Sequence, residues 1–318
     1  MKKEKWRDHP KLIKKIREIS EVGVVLLPYR QTKIFVSKEK EKLPLPSRLL
    51  FSAEALRREL PNSQVEEILK KIFPASLLFH FKEKEYLTLA SDPILEKIFP
   101  ESEEIFFSEW EEEKNWEVGL WVEKETEKIK PFTILNVQTN PFLLEKKGEV
   151  GILEIERAIG EKIKLAPSLI FSVLIVCTGN TCRSPMAKGI LENLLKGDRV
   201  FIYSAGTNGL KNSPPSDYAQ KAVARFGGDI SRHLSQPLTK EMIEDADLIL
   251  VMEKRHLLRI KEMVPEAESK TFMLSGYPEK EGEDILDPIG LSYETFLEVG
   301  EEMKTYLAKV ALDIKERL

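Results

Sequence analysis

Val173-Leu174-Ile175-Val176-Cys177-Thr178-Gly179-Asn180-Thr181-Cys182-Arg183-Ser184-Pro185-Met186-Ala187 decides how the second half of the chain folds. An apolar, β-branched run leads into a tight turn of small polar residues. Pro185 then opens a segment of helical period. The predicted order is strand, loop, helix, with Cys177 where the strand ends and Arg183 after five intervening residues. Small loop residues let backbone N–H groups converge on one point. A helix N-terminus aims further N–H groups and a partial positive charge at the same point. A tetrahedral oxyanion fits there, and phosphate is the common one. A cysteine on the floor of such a cradle is favoured as the thiolate nucleophile. Arg183 can grip two phosphoryl oxygens with its planar fork, and the Ser184 hydroxyl can donate to the thiolate. The plain alternative is a buried cysteine at a strand end beside a surface arginine, since free Cys mostly packs as a small hydrophobe.

Outward from this stretch, strands and helices alternate. Strands are predicted over 170–176, 200–203, 247–252 and 270–274. Helices are predicted from Pro185 to about 195 and over 217–226, 240–246, 253–263 and 293–316. The run Asp247-Leu248-Ile249-Leu250-Val251-Met252 is continuously apolar after its first residue, as expected of a strand buried on both faces of a parallel sheet. The alternation predicts an α/β fold with a doubly wound parallel sheet, whose ligands bind at the C-terminal strand ends. Cys177 is at such an end. Far downstream, Asp287 precedes Pro288 in Asp284-Ile285-Leu286-Asp287-Pro288. Phosphoryl transfer to a thiolate needs a proton for the leaving atom and then a base for water. An Asp on a proline-locked loop can serve both ends, although Asp-Pro is also an ordinary turn dipeptide. Asp284 is read as structural.

The loop from Cys177 to Ala187 resembles the signature loop of low-molecular-weight protein-tyrosine phosphatases, including their protein-arginine-phosphatase branch. The resemblance runs from about Phe171 to the C-terminus, and Asp287 stands where that family keeps its general acid. It implies Cys177, Arg183 and Asp287 as catalytic residues, and Thr178, Gly179, Asn180, Thr181, Cys182 and Ser184 as the phosphate cradle. It also implies Ser204 and His233 as residues that support Asn180 and Ser184. For Cys182 it implies a reversible disulfide with Cys177; a packed loop thiol is the equal alternative. No cofactor and no metal are expected, and His9, His80 and His256 show no ligand spacing.

The resemblance also bears on the substrate, expected to be a phosphorylated protein. Thr181 matches the arginine-directed branch, where tyrosine-directed members tend to carry a larger aliphatic residue. Ile289-Gly290 follows Pro288, where tyrosine-directed members usually place aromatic residues. Both lean modestly toward phosphoarginine over phosphotyrosine, although the arginine branch leads one to expect Phe where Ile289 stands. The rival readings are an arsenate reductase, a bifunctional tRNA-modification protein, and a non-enzymatic anion-binding scaffold. The first usually relays electrons through further cysteines, and none follows Cys182.

The chain has 318 residues, so two domains are expected, divided at 1–168 and 169–318. A hydrophobic content of 42% is ample for two cores. A net charge of −4 argues against a general nucleic-acid binder. The two cysteines share one loop, which leaves no disulfide framework. The charged start Met1-Lys2-Lys3-Glu4-Lys5 is followed by no apolar signal region, and no apolar run is long enough to span a membrane. A cytoplasmic protein without a membrane partner is expected.

The first half reads as an α+β domain. Helices are predicted over 11–20, 52–60, 64–73, 93–99 and 149–163. Strands are predicted over 22–28, 33–37, 49–51, 76–81, 86–90, 116–122 and 132–137, with 38–46 as a connector and 164–168 as the interdomain linker. The acidic stretch 101–127, with Glu111-Glu112-Glu113 and Trp110, Trp116 and Trp121, reads as a solvated face. The basic start (Lys2, Lys3, Lys5 and Arg7) reads as a solvated helix start rather than an RNA contact. Strand 22–28, Phe73-Pro74-Ala75-Ser76, Ser91-Asp92-Pro93-Ile94, Thr133-Ile134-Leu135-Asn136 and the closing segment 149–160 come in the order seen in YrdC-like threonylcarbamoyl-AMP synthases, which they resemble. That family binds ATP, threonine and a tRNA-modification intermediate. Here Tyr29-Arg30-Gln31-Thr32 replaces its threonine-rich turn, and its Lys-Pro pair and Ser-x-Asn segment are not matched. The expectation is a degenerate YrdC-like domain, catalytically silent, that serves as a scaffold or partner surface without binding nucleotide or nucleic acid.

Overall fold

The computed structural model describes residues 131–318 except Leu210 and Lys280, and before them the segments 2–5, 25–29, 32–37, 48–51, 63–71, 77–81, 84–88, 105–109 and 120–123. The chain divides into two compact units, Met1–Ala166 and Pro167–Leu318.

The strands described in the first unit are β1 (Lys2–Lys5), β2 (Val25–Tyr29), β3 (Thr32–Ser37), β4 (Arg48–Phe51), β5 (Leu77–Phe81), β6 (Lys84–Thr88), β7 (Ile105–Glu109), β8 (Leu120–Glu123), β9 (Thr133–Asn136), β10 (Leu143–Lys146) and β11 (Lys164–Leu165). They form one mixed sheet in the order β1-β8-β2-β3-β7-β4-β6-β5-β9-β10-β11. Helices α1 (Ser63–Lys71) and α2 (Ile152–Ile159) pack on each other. Val65, Ile68, Ile152, Ile155 and Ala158 are buried, as are the strand residues Phe79, Leu135 and Leu144.

Several expectations change here. The basic start is not helical: Lys2–Lys5 is a strand parallel to β8. The acidic stretch holds β7, antiparallel to both β3 and β4, because its Ile105-Phe106-Phe107 run carries strand propensity that the surrounding charges mask. The closing helix stops at Ile159 instead of reaching residue 163. Gly160 takes the left-handed conformation (φ 77°), and its N–H donates to the Glu156 carbonyl. Beyond it, Ile163 N–H donates to the buried Glu156 carboxylate at 3.2 Å. Lys164–Leu165, expected as linker, pairs with β10. The helices expected over 11–20, 52–60 and 93–99, the connector 38–46, and Trp110, Trp116 and Glu111–Glu113 lie outside the described residues.

The second unit holds β12 (Phe171–Cys177), α3 (Arg183–Leu194), β13 (Val200–Gly206), α4 (Asp217–Arg225), α5 (Lys240–Asp245), β14 (Leu248–Val251), α6 (Lys254–Met263), β15 (Thr271–Met273) and α7 (Tyr293–Lys315). Its four strands are all parallel, in the order β13-β12-β14-β15. Chain order thus reverses at β12, and the carboxyl end of β12 is the topological switch point of the sheet, where a crevice opens. Leu174 and Val176 pack on one face with Ile243 of α5 and Ile260 of α6. The alternate residues Val173 and Ile175 face the opposite side, where α3 and α7 pack together. Burial on both faces explains why Val173–Cys177 of β12 and all of β14 read as unbroken apolar runs. Side chains cap α4 (Ser216), α5 (Thr239) and α7 (Ser292). Among the described residues no helix is long and apolar enough to cross a membrane.

Candidate active site

The loop between β12 and α3 is built around Asn180. Its φ of 58° is a left-handed value that Asn tolerates better than most residues. Fully buried, it has its polar atoms engaged. Its backbone N–H donates to Cys177 Sγ at 3.2 Å. Its Nδ2 donates to Ser184 Oγ and to Ser204 Oγ, both at 2.9 Å. Its Oδ1 accepts from Gln236 N–H at 3.0 Å, and its carbonyl accepts from His233 Nε2 at 2.9 Å. The sequence-predicted support residues Ser204 and His233 are therefore both in contact with Asn180. Gln236 joins them and also donates to the Ser204 carbonyl at 3.0 Å. Burial lowers the His233 pKa below the usual imidazole value, and the bond to the Asn180 carbonyl opposes that shift.

Cys177 is buried, with Ser184 Oγ 3.0 Å from its sulfur. Because Ser184 Oγ already accepts from Asn180, its own proton is left to donate to a Cys177 thiolate. Helix α3 starts at Arg183, two residues before the expected Pro185. It has neither a side-chain cap nor an acidic residue in its first turn. Pro185 costs nothing at the third position, where an N–H has no helical partner. The first-turn N–H groups are thus left for a ligand beside the sulfur. Gly206 lets the next strand end come close: a Cβ there would lie 2.5 Å from the Thr178 carbonyl. Thr207 N–H and Asn208 N–H then hold the carbonyls of Cys177 and Thr178 at 2.9 Å each.

Arg183 gathers the distant parts of the site. Its side chain is only 2% exposed. Nη1 donates to Glu253 Oε1 at 2.6 Å and to the Ile285 carbonyl at 2.9 Å, and Nη2 is ion-paired with Asp287. Ile285 N–H in turn donates to the Met252 carbonyl at 2.9 Å, which ties the Asp287 loop to the end of β14. Asp284, read as structural, accepts from Lys254 N–H at 2.8 Å and so satisfies an orphan donor of α6. Beyond Asp287, Ile289 is 65% exposed, and Leu286 and Leu291 are exposed as well, so the outer edge of this loop is aliphatic.

No role was expected for the turn that starts α6, yet it supplies three residues to the site. Burial raises the Glu253 pKa, but hydrogen bonds from Arg255 and Arg183 outweigh it and hold the carboxyl below its usual range. Arg255 reaches both Glu253 oxygens at 2.8 Å and Thr178 Oγ1 at 3.1 Å. His256 is buried, with Nε2 2.9 Å from Thr178 Oγ1. Burial pushes its pKa down to about 4. Nδ1 is buried without a hydrogen-bond partner. An unmet acceptor costs less than an unmet donor, so the proton belongs on Nε2, donated to Thr178. A signal was available: these polar residues directly follow the apolar run of a parallel strand, the end that faces the crevice.

Cys182 is buried and free, with its Sγ 3.5 Å from Ser216 Oγ and 3.8 Å from Thr181 Oγ1. Burial pushes its thiol pKa up. Thr181 fixes the loop from its other side, its carbonyl accepting from Ser216 N–H at 3.0 Å. Among the described residues no group of three or more His, Cys, Asp or Glu side chains is placed to hold a metal ion.

Residues 172–318 match the family model described as low molecular weight phosphotyrosine protein phosphatase. The chain is 34% identical over 147 residues to a protein-arginine-phosphatase of Bacillus subtilis, which spans 45% of this chain and 97% of the relative. It is 39% identical over 142 residues to a protein-arginine-phosphatase of Geobacillus stearothermophilus (44% and 94%). It is 37% identical over 125 residues to the low molecular weight protein-tyrosine-phosphatase Etp of Escherichia coli K12 (39% and 82%).

Proposed function

Because the chain belongs to the low molecular weight phosphotyrosine protein phosphatase family, we propose that Cys177, Arg183 and Asp287 hydrolyse phosphorylated side chains through a phosphocysteine. The protein is a cysteine-dependent protein phosphatase. The assignment of roles rests on one observation above all: Arg183 holds Asp287, from 104 residues downstream, against the loop that carries Cys177.

The thiolate of Cys177 attacks phosphorus and forms the S–P bond as the bond to the leaving oxygen or nitrogen breaks. Arg183 and the loop N–H groups of residues 178–184 hold the charge that spreads over the three equatorial oxygens. Asp287 gives its proton to the leaving atom, then takes one from the water that cleaves the S–P bond. Inorganic phosphate leaves and the thiolate is restored, held by the Ser184 hydroxyl. Ser204, His233 and Gln236 act through Asn180, keeping the loop in its anion-binding shape before substrate arrives.

Phosphoarginine is the favoured substrate over phosphotyrosine. Thr181 supports this, and so does the aliphatic Ile289 beyond Asp287, which offers no aromatic wall for a tyrosine ring. The test is phosphate release from matched phosphoarginine and phosphotyrosine peptides without added metal, by the wild type and Cys177→Ser. Release that disappears in the variant, with the phosphoarginine peptide turned over faster, is expected. Release that survives the substitution overturns the cysteine mechanism, and faster turnover of phosphotyrosine overturns the preference.

A further inference from the structure

Arg183 and Arg255 are two arms on one carboxylate. Glu253 Oε1 accepts from Arg183 Nη1 at 2.6 Å and from Arg255 Nη2 at 2.8 Å. The two guanidinium groups are therefore neighbours. They differ in exposure: the Arg183 side chain is 2% exposed and that of Arg255 is 61%. Arg183 has both Nη atoms engaged, by Glu253, Ile285 and Asp287. Arg255 commits Nε and Nη2 to Glu253 and Thr178, while Nη1 has no partner among the described residues.

This fixes where a second cation stands. Thr178 directly follows Cys177, and Arg255 bonds its hydroxyl, so the solvent-facing edge of Arg255 is at the rim of the anion loop. The bidentate grip of Glu253 holds that edge in place, which lowers the entropic cost of using it.

We infer that Arg255 is a specificity-determining residue, whose outer edge receives the carboxylate of an acidic residue close in sequence to the phosphorylated residue of the protein substrate. This rests on the phosphatase reading above and deepens it. The surface it names is a rim site, so the pairing is exposed and sensitive to salt.

The test uses the full chain and phosphopeptides matched except for Glu or Gln on either side of the phosphorylated residue. The quantity read is the Glu-to-Gln ratio of kcat/KM within each variant. Loss of Arg255 also disturbs Glu253 and Thr178, but such damage acts on both peptides and cancels in the ratio. The wild type is expected to favour the Glu peptides by roughly two- to fivefold at low ionic strength, less at high ionic strength. The ratio falls to near one in Arg255→Gln and is partly kept in Arg255→Lys, which retains the charge without the fork. A wild-type ratio near or below one, or a ratio undiminished in Arg255→Gln, overturns the inference while leaving the phosphatase reading intact. Absence of phosphate release from every peptide overturns that reading and this one with it.

Discussion

Two strand-to-helix junctions lie side by side in the second unit, on the paired strands β12 and β14, and they do different work. From Cys177 at the end of β12, five residues pass before α3 begins, and the chain curls so that its backbone encloses a point. From Val251 at the end of β14, only Met252 and Glu253 precede α6. That junction is too short to enclose anything, and it contributes side chains instead. The long junction makes the loop around Cys177, and the short one anchors the Arg183 side chain beside it and the hydroxyl of Thr178. A loop that binds through its backbone must be held in shape by something else, and here a neighbouring turn of fixed geometry does much of that work.

Asp287→Asn breaks the assembly where it is chemical rather than structural. The amide keeps the shape and can still accept from Arg183, but it carries no proton to give. A loss of roughly 10²- to 10⁴-fold in kcat is expected on a peptide substrate. A phosphate ester with an activated leaving group needs no such proton and should lose far less. Equal losses on both would remove Asp287 as the acid.

Glu253→Gln breaks the link between the junctions. It leaves the buried Arg183 guanidinium short of a counter-charge, so a loss of about 3 kcal/mol in unfolding free energy is expected. Turnover should fall by about tenfold, the factor that roughly 1.4 kcal/mol of misplaced charge costs. Unchanged stability and unchanged kcat would show the long junction to be self-supporting.

His256→Gln gives the smallest effect, and one confined to a pH window. The folded imidazole titrates at about 4, against about 6.5 in an unfolded chain. Between these values the unfolded state takes up a proton that the folded state refuses, so stability falls as pH drops and is untouched above about 7. His233, also lowered, adds to the same slope in both proteins. Relative to its value at pH 7.5, the stability of the variant should gain on the wild type by at most roughly 3 kcal/mol as pH falls to 4. A constant difference across that range, measured by chemical denaturation, would place a charged His256 in the folded protein.

The long junction was legible in the sequence because its information is contiguous. The turn chemistry, the uncapped helix start and the proposed nucleophile all fall within Cys177–Ser184, and the strands around it announce themselves as apolar runs. Legibility failed where the pattern competes with another. The charges around Ile105-Phe106-Phe107 hid β7, and the apolar period past Ile159 hid the stop that Gly160 imposes. In the site itself, Glu253 and His256 looked like ordinary residues of a polar helix start. Nothing local says that they meet Arg183 and Thr178, 70 and 78 positions away in the chain.

By itself the sequence determined that a parallel α/β unit would present Cys177 at a strand end with Arg183 in the same loop, because spacing and residue type limit what such a loop can bind; Asp287 as their partner was implied only by the family resemblance. Only the tertiary structure decided which carboxylate anchors Arg183, which imidazole holds Thr178, and which arginine is left facing solvent at the rim. Those outcomes depend on β14 lying beside β12. Strand order is settled by how the whole sheet buries its two apolar faces, not by any one segment.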